Sequence, residues 1–230
     1  MVKSSNAKGS LALSAVAVAI WAALAIICIP REVEIVAFSW PWWAIGAFSG
    51  QLQIAIAATV FGVFRGELPR AIREFAGRIL FSLLTAISIS LGCGFLAFAF
   101  SSLPTIARVP LAVLGTLLLS IIMFSAAVAS ATKALPPGAI ATSVRFAVSW
   151  PGVKLILLIA STSAAAGMMT YPLLAGFPGW QPETGRLLSA VILTAVTTAT
   201  SLLAGVVIWS RFCGDQPEAH SPDPVPRSCP

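Results

Sequence analysis

Charge is what this sequence has least of: Asp, Glu, Lys and Arg together make up 10% of its 230 residues, against about 25% in an ordinary soluble domain. Histidine occurs once, as His220 near the C-terminus, so haem ligation or imidazole acid–base work inside the apolar part of the chain has no residue to rest on. The four cysteines, Cys28, Cys93, Cys213 and Cys229, have neither CxxC spacing nor a histidine nearby, which removes a zinc site and a thioredoxin-like pair. The chain also lacks a GxxxxGK[ST] phosphate loop, HExxH, GxSxG, and a GxGxxG opening a helix after a strand. We therefore expect no enzyme, no metal and no cofactor, with any ATP-driven step belonging to another chain.

What the sequence has in excess is apolar surface. Hydrophobic types make up 58% of the chain and the mean hydropathy is +0.94. One core in a 23.9 kDa domain cannot hide that much, and there are too few charges to wet the remainder. The solvent must be lipid. The formal net charge of +6 would suggest a nucleic-acid partner only if the basic residues formed a stripe. They are scattered among short polar segments, so we expect no nucleic acid.

A helix crossing a hydrocarbon layer of about 30 Å needs roughly 20 uncharged residues. Six runs come close to or exceed that length, 11–29, 42–64, 79–100, 109–131, 155–175 and 187–209, and none contains Asp, Glu, Lys, Arg or His. Backbone amides in lipid must pair within their own segment, so each run is expected to be a helix. The first run is followed by Cys-Ile-Pro-Arg rather than an A-x-A cleavage site and reads as a retained anchor. The fold expected is all-α: a polytopic integral membrane bundle of six transmembrane helices over residues 1–210. A flexible proline-rich tail is expected over 211–230.

Orientation follows from basic residues. Lys3, Lys8, Arg65, Arg70, Arg73, Arg78, Lys133, Arg145, Lys154, Arg211 and Arg227 fall on one side of an alternating six-span chain, and Arg31, Arg108 and Arg186 on the other. Eleven against three predicts that both termini face the cytoplasm, in a cytoplasmic (inner) membrane of bacterial type. Trp40, Trp42, Trp43, Trp150, Trp180 and Trp209 lie at segment ends, where an indole can anchor at the interface.

Two cytoplasmic segments start with Leu-Pro, at Leu68-Pro69 and Leu135-Pro136, and each places arginines before the next span. They are expected to form short interfacial helices, with Glu67 and Glu74 solvated. Leu68, Arg70, Arg73, Phe75, Arg145 and Phe146 are the residues there that would dock a cytoplasmic partner.

Within the spans only neutral polar groups remain. Gln53 sits at the middle of the second run with Gln51 close by, and Thr194, Thr197, Thr198 and Ser201 share one face of the last, with spacings of three and four residues. A primary amide in hydrocarbon needs a partner. These residues therefore either fasten helices or line a path for a neutral or amphiphilic solute. Ala15, Ala19 and Ala23 form a small-residue stripe suited to helix packing. Membrane lipid is the first expected partner, followed by other membrane subunits or further copies of the chain. The function expected is that of a non-catalytic membrane subunit of a transport or translocation assembly; the alternatives are a structural or assembly subunit and an oligomeric channel.

Overall fold

The computed structural model describes residues 2–27, 40–64, 68–175 and 182–213. Among these the regular structure is wholly helical: α1 (Val2–Ile27), α2 (Trp40–Val63), α3 (Leu68–Ser101), α4 (Thr105–Ile122), α5 (Ser125–Thr132), α6 (Pro136–Ala147), α7 (Trp150–Ala175) and α8 (Pro182–Phe212). Five segments are long and apolar enough to cross a membrane, namely Ala44–Val63, Arg70–Ser101, Leu114–Thr132, Trp150–Thr170 and Leu187–Phe212. The chain is therefore a multi-pass membrane protein. The apolar part of α1 that is described, Lys8–Leu24, falls in a shorter class. The proline-rich tail beyond Cys213 lies outside the described residues.

Packing registers set the helix directions. Trp21 of α1 donates to Ser49, and Ser14 donates to the Ala57 carbonyl, so α1 and α2 run antiparallel. Ser82 of α3 donates to the Ala126 carbonyl of α5, and Arg78 reaches Ser130 and Ala131, so α3 and α5 are antiparallel as well. Between α2 and α8, Gln53 meets Ser201, Ala57 and Ala58 meet Gly205, and Gly62 meets Trp209. The numbers rise together, so these two helices are parallel. At Gly205 an added Cβ would stand 2.6 Å from the Ala58 nitrogen; only glycine allows this approach.

Two local expectations are revised. The first Leu-Pro segment is no separate interfacial helix: it is the opening of α3, a 34-residue helix continuous with its span. Nothing in 68–78 breaks a helix, since proline is harmless in a first turn. The second is a separate helix, α6, with prolines at its first positions and Ala139, Ser143, Phe146 and Ala147 buried on one face. On α1 the buried face is Ser14, Val18 and Ala22, one residue off the expected alanine stripe, whose members stay half-buried. The Ser14 hydroxyl needs the Ala57 carbonyl, and that bond sets the rotation.

The fourth apolar run is interrupted, which its sequence did not announce. α4 ends at Ile122 and α5 starts at Ser125, with no proline or glycine at the break. Two serines act there instead. Ser125 donates to the Ile122 carbonyl at 2.7 Å and Ser143 to the Ile121 carbonyl at 3.4 Å. Hydroxyls thus take up carbonyls that a continuous helix would pair with backbone N–H groups, one of the recognised causes of a kink. Beyond the break every residue from Ser125 to Ala131 is buried, whereas α4 leaves Leu114, Leu117 and Leu118 exposed.

Candidate functional site

The densest polar cluster lies where α3 begins and α5 and α8 end. Arg78 follows Glu74 by one helical turn and sits just before the apolar run of α3, so the helix carries its guanidinium into the bundle. Its side chain is 0% exposed. Nη1 donates to the carbonyls of Ser130 and Ala131, each at 2.8 Å, while Nε and Nη2 donate to Glu74 Oε1 at 3.3 and 3.2 Å. The guanidinium carbon also lies 5.0 Å from the centroid of the Trp209 ring.

A buried cation is tolerated only when its donors are used and its charge is met. Here the carboxylate, the negative end of the α5 dipole and an aromatic face meet it together. Lys133 Nζ approaches the same Glu74 oxygen at 3.6 Å, and the Cys213 thiol donates to the Ala131 carbonyl at 3.0 Å. Trp209 lies flat against Gly62, where no Cβ would fit.

These positions overturn three expectations. Arg78 is not a solvated loop charge, and Glu74 is not free in solvent: its side chain is 16% exposed. Trp209 is 5% exposed and acts as a platform for Arg78 rather than an interfacial anchor. A signal was present in the sequence, because Glu74 and Arg78 have the spacing of a helical ion pair and Arg78 abuts an apolar run. What the sequence could not supply was the set of acceptors from α5 and α8.

Of the expected path residues, Gln53 and Ser201 meet between α2 and α8. Gln53 is 5% exposed and its Oε1 accepts from Ser201 at 3.5 Å. Thr197 donates to the Leu193 carbonyl of its own helix at 2.6 Å, and Thr194 is half-buried. Gln51 is 2% exposed; neither of its amide atoms, nor the Thr198 hydroxyl, has a hydrogen-bond partner. Around Gln53 the seam is closed by Gly205 against Ala57 and Ala58.

Of the expected docking residues, Arg70, Arg73 and Arg145 are exposed, while the Leu68 side chain lies outside the described residues. Phe75 packs edge-on against Phe64 at 6.0 Å. Phe146 is 5% exposed, wedged between Phe124 at 5.6 Å and Phe212 at 5.9 Å. Both rings are spent on internal packing.

An open space occurs elsewhere. A cleft of about 510 Å³ separates the second half of α3 from α4, with Leu96 and Phe100 on one wall, Leu111, Leu114 and Leu118 on the other, and Val144 of α6 at one end. Its walls are hydrocarbon apart from Cys93 and Ser101, and the Ser101 hydroxyl is already donated to the Phe98 carbonyl at 2.6 Å. None of the six path candidates lines it. Along α4 it runs from Leu111 to Ile122, about 16 Å of helix, close to half of a hydrocarbon core of about 30 Å. No group of three or more His, Cys, Asp or Glu side chains among the described residues is arranged to hold a metal ion.

No protein-family model matches the chain, and no curated protein or solved structure matches it significantly.

Proposed function

We propose that the chain is a non-catalytic, six-span subunit of a transport or translocation assembly, and that the cleft between α3 and α4 takes the apolar part of an amphiphilic solute. The observation that carries this reading is the cleft itself: a long, oily space one leaflet deep, with its rim at exposed leucines of α4. An aliphatic chain fits such walls, and a polar solute would leave its hydrogen-bonding groups unmet there. Energy would come from a partner, because Arg78, the one fully buried cation among the described residues, is already committed to Glu74 and the α5 carbonyls.

Counting α1 as the sixth span fits the registers, since α1 opposes α2 while α2 and α8 run together, as strict alternation requires. With Arg78 buried, the basic bias that puts both termini in the cytoplasm becomes ten against three. The exposed Arg70, Arg73 and Arg145 remain the groups that a cytoplasmic partner would meet.

The test is photo-crosslinking of the purified protein in lipid nanodiscs, using a single-chain amphiphile with a diazirine along its tail. Label on peptides carrying Leu96, Leu114 or Leu118, reduced several-fold by Gly115→Phe, is expected. Label spread evenly over exposed leucines of α7 and α8 would refute the cleft. One observation favours the structural alternative: the Gln53–Ser201 clasp is buried, as in a helix fastener worth about 1 kcal/mol. Unchanged transport by a complex carrying the Gly115→Phe variant would favour that reading.

A further inference from the structure

We propose that the α2–α8 seam holds a buried hydration site, a notch beside Gly50 in which water bridges the Gln51 amide and the Thr198 hydroxyl. This is independent of the cleft on the far side of α3. Gly205 touches Ala57 and Ala58 together. Two helical turns, seven residues, return nearly the same face. On parallel helices, the positions one such step earlier are Gly50 and Gln51 on α2 and Thr198 on α8, so these three come to one level of the seam.

The two levels differ in what fills them. At Gly205 an added Cβ would collide with α2 backbone, whereas at Gly50 it would have nothing within 4 Å. Gly46, one turn earlier, is equally open, and both glycines are exposed. Together they leave the surface of α2 next to Gln51 without side-chain cover.

Polar chemistry beside that surface is unmet. Gln51 is 2% exposed, and neither its Nε2, its Oε1 nor the Thr198 Oγ1 has a partner. Buried amides and hydroxyls almost always find one. The set offers amide donors, a carbonyl acceptor and a hydroxyl that serves as either. A cation would be repelled by the amide N–H groups, and an acyl chain would leave all three atoms unmet. Water supplies both donor and acceptor and needs two to four polar partners; the three unmet atoms would provide the partners, and the space left by the missing Cβ of Gly50 the room.

The experiment is water-edited solid-state NMR on the isotope-labelled full chain in lipid bilayers, following magnetisation from water into side chains. Transfer to the Gln51 side-chain amide is expected in the wild-type protein, together with a several-fold loss in Thr198→Val and in Gly50→Leu. Exposed Lys154 serves as an unchanged control. No transfer to Gln51 in the wild-type chain overturns the proposal. So does transfer that persists undiminished in Thr198→Val, a near-isosteric change that keeps the helix intact even if Gly50→Leu does not fold.

Discussion

At the residue scale Arg78 shows how a single carboxylate, helped by neutral groups, can hold a buried charge. Two main-chain carbonyls, one carboxylate and one indole share the guanidinium, and its planar fork is what lets a single side chain address α5, α8 and its own helix at once. Arg78→Leu should lower stability by about 3 kcal/mol, because Glu74 is left half-buried with only Lys133 nearby and two carbonyls lose a charged donor. Arg78→Lys keeps the charge but loses the fork, and should cost about 1–2 kcal/mol. Denaturant midpoints in mild detergent measure both, and equal stability of all three proteins would contradict the account. The pair Glu74–Arg78 was legible as an i,i+4 ion pair. Its burial was not, because charge patterning along one helix cannot reveal that the ends of two distant helices supply acceptors and an aromatic face.

At the element scale, hydroxyls bend what the apolar pattern would leave straight. The run 109–131 reads as one span, and its composition gives no reason for a break; the break arises from Ser125 acting locally and Ser143 acting from another helix. Ser125→Ala should return the Ile122 carbonyl to backbone pairing and straighten α4 onto α5. Pulsed electron resonance between spin labels at Leu117 of α4 and Leu203 of α8 would then show a shift of several ångström, while an unchanged distance would assign the break to Ser143 or to packing. The hydroxyl face of the last span was readable from spacing alone, and Ser201 does reach Gln53 across the seam. Thr197 instead bonds its own helix, an outcome that spacing cannot separate from the first.

At the scale of the whole molecule, helical class and lipid solvation follow from composition, and five of the six expected spans coincide with helices of sufficient length. The α3–α4 cleft was not legible, since it depends on how far α4 leans away below a serine-made break. Sidedness yields a prediction. In a strain bearing single-cysteine variants, Ser102→Cys in the α3–α4 connection should react with an impermeant maleimide from outside, and Arg70→Cys only after permeabilisation. The reverse pattern would invert the topology. The buried arginine also has a temporal consequence. Ribosomes deliver α3 well before α8, yet the Trp209 platform and Cys213 come with α8. A nascent chain must therefore hold this cation at the edge of the lipid with Glu74 and the α5 carbonyls but without its aromatic face until α8 is made, which makes prolonged residence beside the insertion machinery part of this protein's biogenesis.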